Sequence, residues 1–311
     1  MPRRPPFPPP MVFSARRSAS RGWGVRRLLS KFRKRCVRFA LLGALGIAAG
    51  AAVARSAPAD AINAAVLDRF DLVVLDAGHG GHDEGAIGPT GLREKDLVLD
   101  VTRRVARRLV KQGLHVILTR RDDHFISLEQ RTAVANDAHA DLFLSIHANA
   151  STSRTPRGVE TYFASLESSD EDSRRLAERE NTALGASSPS ADSADPLAAI
   201  LGDLIETEHL QESSEFAKLA EGGLSGAAGD RSRGVKQAPF VVLMGVRMPA
   251  SLVEIGFVTH PDEEGALRQG RQKDEIAEAL AAAVFDFGRR YDARRGVRPT
   301  TGTTPAARAA H

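Results

Sequence analysis

The 311-residue sequence predicts an α/β fold with a twisted, mainly parallel central sheet flanked by helices and an active site at the carboxyl ends of the strands. Two observations lead to this prediction. Short apolar runs alternate with stretches of helical periodicity, an order typical of parallel strands joined by right-handed crossovers. Two of the apolar runs also deliver a histidine near their carboxyl end, where open α/β sheets bind their ligands.

The first strand, helix and strand are predicted between residues 72 and 120. Residues 72–75 form an apolar run, and the glycine-rich stretch after it lets the chain turn sharply around His79. A helix is predicted over residues 94–112, since its apolar residues recur at three- and four-residue spacing: Leu97, Val98, Val101, Val105 and Leu109. Gly113 suits the position after a helix, and residues 114–120 predict the next strand.

A second helix and two further strands follow. Ser127 is a predicted N-cap, and Gln130 completes a capping box for a helix that runs to residue 137. Residues 142–149 repeat the pattern of the first strand, because they are apolar and carry His147 near their end. Residues 158–164 predict another strand, and a polar helix follows it and ends near residue 181.

The second half of the chain is predicted to begin with a low-complexity segment at residues 185–196. Residues 197–210 predict a short amphipathic helix, and a second helix follows at 212–221. The sheet then resumes with strands at residues 240–244 and 250–257. The last predicted helix spans residues 273–290.

These elements predict one catalytic domain over residues 71–290, between a linker at 55–70 and a disordered tail at 291–311. The whole chain carries a formal net charge of +4, but its first 54 residues hold 12 Arg and Lys and no Asp or Glu, which leaves −8 for the rest. A surface of that sign repels phosphate. Nucleic acid is therefore not expected as a partner of the catalytic domain.

Residues 1–54 predict a signal peptide, because a basic segment precedes sixteen uncharged, mostly apolar residues at 39–54. That run is shorter than the ~20 residues of a spanning helix, so no stable membrane span is expected after cleavage. Cleavage is predicted after Ala54, with Ala59 as the fallback. Arg26 and Arg27 resemble a twin-arginine signal and leave the Sec and twin-arginine routes open, so the protein is predicted to be periplasmic or exported.

Four ionisable residues stand at the ends of elements or inside apolar runs: His79, Glu94, His147 and Glu254. One such residue alone is more often a satisfied polar group than a catalyst. Four of them predict a metal site made from His and carboxylate ligands, because the only cysteine, Cys36, lies in the basic segment. The neighbouring His82 is interpreted as a surface residue, and its closeness to His79 leaves it as an alternative ligand.

Four segments between residues 72 and 264 carry a family resemblance. They read LDAGHGGHDEGAIGPTGLREKDLVLD, LTRRDDHFISLEQRTAVANDAHADLFLSIHANAS, GVETYF and GVKQAPFVVLMGVRMPASLVEIGFVTHPDEE. In this order they resemble the zinc-dependent N-acetylmuramoyl-L-alanine amidases of the bacterial cell-division type, which cut peptidoglycan. The resemblance implies one Zn²⁺ ion held by His79, Glu94 and His147, with Glu254 as the catalytic glutamate.

The implied reaction is hydrolysis of the amide bond between the lactyl group of N-acetylmuramic acid and L-alanine, during cell-wall remodelling or daughter-cell separation. The residue set suits that chemistry, because two imidazoles and one carboxylate leave Zn²⁺ an open fourth position, where bound water has a pKa of ~7. Glu254 would take the water proton and pass it to the departing amine.

The resemblance also implies control by a LytM-type activator protein. Cell-division amidases of this family carry a helix that covers the zinc until the activator displaces it, and residues 165–215 lie at the corresponding place. An acidic residue of the predicted 197–210 helix, Glu206 or Glu208, is expected over the metal. An ordinary surface helix is the alternative.

Two alternatives from other functional classes stay open at this point. A carboxypeptidase-type zinc hydrolase also uses two His and a Glu, although it keeps two of its ligands in one short motif, whereas each ligand here comes from its own segment. A catalytically inactive wall-binding domain is the other alternative, and the complete set of four residues argues against it.

Overall fold

The computed structural model describes residues 12–13, 69–153, 155–183, 207–229 and 231–297. The strands are β1 (Val12–Phe13), β2 (Leu72–Ala77), β3 (His115–Leu118), β4 (Leu142–Asn149), β5 (Val159–Ala164), β6 (Ser232–Ala238) and β7 (Ala250–Phe257). The helices are α1 (Glu94–Lys111), α2 (Leu128–Asp137), α3 (Glu171–Ala183), α4 (Thr207–Ala227), α5 (Val241–Met244), α6 (Pro261–Arg268) and α7 (Gly270–Arg294).

The strands form one sheet in the order β1-β3-β2-β4-β7-β5-β6. Strands β3, β2, β4 and β7 run parallel to one another, β5 is antiparallel to β7, and β6 is parallel to β5. The prediction of an α/β fold with a mainly parallel sheet is therefore confirmed. Strand β1 pairs antiparallel with β3 and falls within the predicted signal peptide, so β2 to β7 form the sheet of the predicted catalytic domain.

Helices cover both faces of the sheet, and an apolar core lies on each face. On one face, Val73 and Leu75 of β2 pack with apolar residues of α1, α4 and α7, among them Phe216 and Leu280. On the other face, Val74 packs with residues of α2, α3 and α5. A strand that is buried on both faces needs a continuous apolar run rather than an alternating one, which is what residues 72–75 provide.

Local sequence signals set the ends of the first two helices. Ser127 Oγ accepts a hydrogen bond from Gln130 N at 3.4 Å, and Gln130 Oε1 accepts one from Ser127 N at 3.1 Å, so the predicted capping box at the start of α2 is present. Gly113, after the end of α1, has a φ of +100°, which glycine adopts more readily than other residues.

The register of three neighbouring strands places ionisable side chains in a row. His147 of β4 pairs in register with Glu254 of β7, and Glu254 pairs with Glu160 of β5. Residues directly opposite each other point to the same face of a sheet, so His147, Glu254 and Glu160 share one face. Helix α3 packs on that face, because its Leu176 belongs to the same apolar core as Leu252 of β7.

The strand predicted at residues 240–244 is wrong, because this segment forms helix α5 and the strand in this region is β6. Asn181, far away in sequence, turns the chain after β6: its Oδ1 accepts from Val241 N at 3.0 Å, and its Nδ2 donates to Pro239 O at 2.9 Å. A short buried apolar run fits a helical turn as well as a strand. The sequence does not predict strand β6, because most of its residues are polar and form no apolar run. Polar residues suit a strand at the edge of a sheet.

Other bounds differ less. Helix α4 is longer at both ends than the predicted 212–221, helix α6 is not predicted from the sequence, and α7 continues into residues 291–294, where the predicted tail starts. Most of the predicted signal peptide, the low-complexity segment and the amphipathic helix up to residue 206 lie outside the described residues. No helix in the described ranges is long and apolar enough to cross a membrane.

Replacing Phe287 by Ala should lower the free energy of unfolding by about 3–5 kcal/mol, because a fully buried ring is lost and a cavity remains. The ring centroid of Phe287 lies 5.7 Å from that of Phe70 and 5.5 Å from that of Phe216, so the cavity would have rigid walls. Urea denaturation measures the change. Arg289→Ala, on the exposed side of the same helix, should have little effect, and a similar loss in both variants would contradict this packing.

Candidate metal centre

His79 is buried at the carboxyl end of β2 and adopts a left-handed backbone conformation with φ +57°. Such a conformation costs a non-glycine residue roughly 1–2 kcal/mol, so the surroundings must hold it. Gly80 N donates to Asp83 O at 2.9 Å, and Arg131 Nη2 donates to His79 O at 2.9 Å. Asp83 Oδ2 lies 2.8 Å from His79 Nδ1, which fixes the ring and leaves Nε2 for the other side.

The fully buried side chains of Arg120 and Arg131 hold this loop in place. Together they donate to the backbone carbonyl groups of Ala77, Gly78, His79 and Lys95. Arg131 Nη1 also donates to Asp76 Oδ1 at 2.7 Å. Burial opposes ionisation of Asp76, but Arg131, Thr119 and His147 together outweigh it and hold the pKa of Asp76 below its usual value. Charged donors therefore fix a loop that its glycines would otherwise leave free.

Glu94 is the first residue of α1, and its carboxylate reaches both histidines. Oε1 lies 3.0 Å from His79 Nε2 and 3.2 Å from His147 Nδ1. Ala148 N donates to the same oxygen at 3.0 Å, and Ala86 N donates to Oε2 at 2.9 Å. Burial opposes ionisation, but the two imidazoles outweigh it and lower the pKa of Glu94 to about 2. The carboxylate is therefore charged at neutral pH.

A second carboxylate, that of Glu180 on α3, faces the same two imidazoles. Its Oε2 lies 3.3 Å from His79 Nε2 and 3.4 Å from His147 Nδ1, and its Oε1 lies 3.1 Å from Arg179 Nε. The ligand atoms of His79, His147 and Glu180 all lie within 4.8 Å of one another. These three buried residues could hold a metal ion, with Glu94 beside them.

The distances between these atoms fit a metal centre. In a tetrahedral site with metal–ligand bonds of about 2.0–2.1 Å, neighbouring ligand atoms lie about 3.3–3.4 Å apart. The two imidazole nitrogens lie 3.0 to 3.4 Å from the two carboxylate oxygens. His79 Nε2 and Glu180 Oε2 are buried and lie 3.3 Å apart, but neither makes a hydrogen bond of good geometry to a described residue. A cation between them would satisfy both atoms.

Without a metal ion, the cluster is held by ion pairs. Burial lowers the pKa of His147, but Glu180 and Glu94 outweigh it and raise the pKa to about 9. Burial likewise opposes the charged form of His79, yet Glu94 raises the pKa of His79 well above 6.5. The pKa of Glu180 lies well below 4.5, because its contacts with the two imidazoles outweigh burial. At neutral pH the His147 imidazole therefore carries an additional proton that a metal ion must displace. The raised pKa of His79 opposes metal binding in the same way.

Glu254 lies beside His147 in the sheet but belongs to none of these pairs. It is only 1% exposed, and neither of its carboxylate oxygens has a hydrogen-bond partner among the described residues. Burial, assisted by repulsion from Glu94 and Glu180, raises the pKa of Glu254 well above 4.5. A carboxyl group whose pKa is raised in this way binds a proton more readily than an ordinary glutamate, which suits a general base and acid.

The structure brings together the four residues that the sequence singles out, His79, Glu94, His147 and Glu254. Their chemical roles stay predictions. His82 is exposed and packs against Phe125, with ring centroids 4.3 Å apart, so it takes no part in the cluster.

The residue that the sequence prediction missed is Glu180. Glu206 lies outside the described residues, and the side chain of Glu208 is not described, so the prediction for these two is untested. A signal for Glu180 does exist in the sequence. The buried residues of α3 recur at three- and four-residue spacing, and a glutamate is one of them: Ser173, Leu176, Ala177, Glu180 and Asn181. An ionisable residue on a buried helix face is the same anomaly that marks Glu254 in a buried strand.

The fold and the site define the class of protein: an α/β domain with a buried cluster of two histidines and two carboxylates at the carboxyl edge of a mainly parallel sheet, as in metal-dependent hydrolases. Comparison with known proteins identifies the family. The family described as N-acetylmuramoyl-L-alanine amidase matches residues 73–286. The chain belongs to the N-acetylmuramoyl-L-alanine amidase family.

Similar proteins include two amidases of Escherichia coli. N-acetylmuramoyl-L-alanine amidase AmiA of strain K12 is 36% identical over 223 residues, which cover 71% of this chain and 77% of AmiA. N-acetylmuramoyl-L-alanine amidase AmiC of Escherichia coli O6:H1 is 35% identical over 221 residues, which cover 70% of this chain but 52% of AmiC. The chain thus spans about half the length of AmiC. The crystal structure of N-acetylmuramoyl-L-alanine amidase from Clostridium difficile 630 matches with a TM-score of 0.54 and 29% identity, over 70% of this chain and 97% of that one.

Titrating Zn²⁺ into the metal-free protein at pH 7 should release at least one proton, because His147, with a pKa of about 9, must lose its additional proton to bind a cation. The raised pKa of His79 should increase the release further. The affinity should rise with pH up to about 9, the pKa of His147.

The raised pKa of His147 also stabilises the metal-free fold. This contribution is fully present below about pH 6.5 and is lost as the pH rises through about 9.

Calorimetry in two buffers of different ionisation enthalpy counts the released protons. His82→Ala is the matched control and should change neither the proton count nor the affinity. Binding that releases no protons at pH 7 would contradict the ion-paired cluster.

Proposed function

We propose that this domain hydrolyses the amide bond between the lactyl group of N-acetylmuramic acid and L-alanine in peptidoglycan, with one Zn²⁺ ion as its cofactor. The observation that carries the proposal is the buried contact of His79, Glu94 and His147, with Glu254 beside them. The family match and the named relatives support the substrate and the bond.

His79 Nε2, His147 Nδ1 and Glu94 Oε1 would hold the zinc ion. When bound, zinc supplies a Lewis acid that polarises the scissile carbonyl and lowers the pKa of water to ~7. The chain prepares its ligands for this. Asp83 binds Nδ1 of His79 and so keeps Nε2 free as the donor atom, and Ala86 N fixes the second oxygen of Glu94.

Glu254 holds and moves the proton in this proposal. As a base it takes a proton from the attacking water, whose oxygen forms the new bond to the lactyl carbonyl carbon. As an acid it passes that proton to the nitrogen of L-alanine, so that the amide bond breaks and the amine leaves. The products are a lactyl carboxylate on the glycan and a stem peptide with a free amino terminus. The raised pKa of Glu254, caused chiefly by burial, suits both steps.

The alternatives fit the site less well. The residues proposed as ligands come from three separate elements, β2, α1 and β4, and not from the single short motif of carboxypeptidase-type enzymes. An inactive wall-binding domain would have no need for a buried carboxylate without partners beside a two-histidine cluster.

Glu94→Ala should lose bound zinc, whereas Glu254→Gln should keep zinc and lose activity by about 10²–10⁴-fold, because only proton transfer is removed. Metal analysis of the purified proteins, followed by chromatography of digested sacculi, measures both properties. Peptides freed at the muramyl linkage support the amidase, whereas cleavage within the stem supports a peptidase. A Glu254→Gln protein with wild-type turnover would contradict the assigned role.

Helix α3 is the regulatory element of this proposal, and it lies within the predicted insertion at residues 165–215. Glu180 Oε2 sits against both imidazole nitrogens, where the attacking water would need to be. The neighbouring Arg179 fastens the helix, because its guanidinium donates to Ala150 O and to Asn149 Oδ1, both at 3.2 Å. A LytM-type activator protein would withdraw α3 and open the site.

Glu180→Ala should raise the basal activity of the zinc-loaded protein several-fold and leave its zinc content unchanged, because the covering carboxylate is removed and the three proposed ligands remain. Release of peptides from sacculi without an activator measures this. Glu178→Ala, on the exposed side of the same helix, is the matched control and should have no effect. Loss of zinc in Glu180→Ala alone would instead make Glu180 a structural ligand.

The proposed substrate also supports export. Residues 1–54 act as the signal peptide in this proposal, and the catalytic domain at 71–290 works in the periplasm or outside the cell. The amino-terminal sequence of the exported protein decides between cleavage after Ala54 and cleavage after Ala59.

A further inference from the structure

A cavity of about 260 Å³ adjoins the metal centre. It lies beyond Glu254 in the sheet, because Glu160, which lines it, is the register partner of Glu254 on β5. Asn149, also in its lining, follows His147 by two residues at the end of β4. A substrate that extends from the metal centre along this edge of the sheet would reach the cavity.

The carboxylate of Glu160 anchors one wall of the cavity. It is 2% exposed and accepts hydrogen bonds from Tyr162 Oη at 2.7 Å, Asn149 Nδ2 at 3.2 Å and Lys236 Nζ at 3.2 Å. Arg233 Nε also donates to it. Four donors use up the acceptor capacity of this carboxylate, so its role is to hold its neighbours in place.

Among these neighbours of Glu160, Arg233 has N–H groups that are available to bind a ligand. Its Nε is engaged by Glu160, and its Cζ lies 5.3 Å from the ring centroid of Phe257, so the guanidinium plane is fixed by two contacts. Neither Nη group makes a hydrogen bond to a described residue, although the side chain is only 30% exposed and lines the cavity. A fixed guanidinium with two free N–H groups side by side matches the two oxygens of a carboxylate.

Some residues that line the cavity lie on strands, and others lie on α3. Glu160, Arg233 and Phe257 lie on strands, so they stay in place when α3 is withdrawn. The carboxylate of Asp172, which also lines the cavity and would compete for Arg233, lies on α3 and would leave with it. Withdrawal of the helix would remove Asp172 together with Arg175 and Arg179, and would leave Arg233 as the cation of the lining.

We propose that Arg233 binds a free carboxylate of the stem peptide, on the leaving-group side of the scissile amide. This inference rests on the proposed amidase function. Neighbouring strands lie about 4.8 Å apart, so Glu160 is one strand from Glu254 and two from His147, roughly 5–10 Å. Two extended residues span about 7 Å. A carboxylate on the second residue of the stem, where a glutamate joined through its side chain leaves its α-carboxylate free, is therefore within reach.

The test uses two L-alanyl dipeptides that differ only in the second residue, which carries either a free α-carboxylate or the corresponding carboxamide. Their dissociation constants are measured by calorimetry on the zinc-loaded full chain and on Glu180→Ala, in which α3 is held less firmly. The carboxylate form should bind about 10- to 100-fold more tightly, as expected for a charge-assisted bidentate pair. In Arg233→Gln this preference should disappear, while the amide form binds as before.

Two controls separate binding from support of the fold. Arg231→Gln removes an exposed positive charge two residues away, outside the cavity, and should keep the full preference. Arg233→Lys keeps the positive charge but lacks the two Nη groups of the guanidinium. This variant should keep only part of the preference for the carboxylate dipeptide. Thermal unfolding of each variant checks that it is folded.

Three results would overturn the inference. The first is equal affinity of the wild-type chain for both dipeptides, and the second is an equal loss of affinity for both dipeptides in Arg233→Gln. The third result is that neither dipeptide binds to the wild-type chain or to Glu180→Ala. Failure of the amidase proposal is read separately, from intact muramyl linkages in sacculi treated with the zinc-loaded protein.

Discussion

Two buried imidazoles face two buried carboxylates at the carboxyl edge of the sheet, and the rest of the structure depends on this contact. Removing four such groups from water costs several kcal/mol per charge unless each finds a partner. Glu94 and Glu180 each contact both His79 and His147, so every group has partners of opposite charge, and a cation between them could replace imidazole protons. The surrounding strands and helices hold these two imidazoles and two carboxylates in place.

The support for the cluster is largely charged and lies in the interior. Arg120 and Arg131 hold the carbonyl groups of the His79 loop, and Asp76 balances Arg131. Strand pairing does the same for His147, which is placed opposite Glu254 by the register of β4 and β7. A loop rich in glycine would be a poor mount for a ligand by itself, because its backbone is flexible. Here the buried guanidinium groups supply the rigidity that the loop sequence lacks.

The proposed chemistry and its proposed control lie on different kinds of element. His147, Glu254 and Glu160 belong to central strands, which the sheet holds fixed. Arg179 and Glu180 belong to α3, a helix with a polar outer face and few buried apolar side chains. Because its apolar contact is small, α3 is held mainly by the polar contacts of Arg179, Glu180 and Asn181. The strand residues would keep their positions if an activator replaced those contacts. One movement would then uncover both the metal centre and the cavity beside it.

The sequence by itself determined the parallel strands β2, β4 and β7, the helix α1 and the capping box at Ser127, because apolar periodicity and capping are local signals. It also pointed to His79, Glu94, His147 and Glu254, since an ionisable residue in or beside an apolar run stands out without knowledge of its neighbours. Only the tertiary structure decided that Glu180 meets the histidines, that Glu160 holds Arg233, and that Asn181 turns the chain into α5 where a strand was predicted. Those contacts join residues about 30 to 100 positions apart. A local pattern records which side of an element is buried, but it carries no information about which distant group will lie against that side.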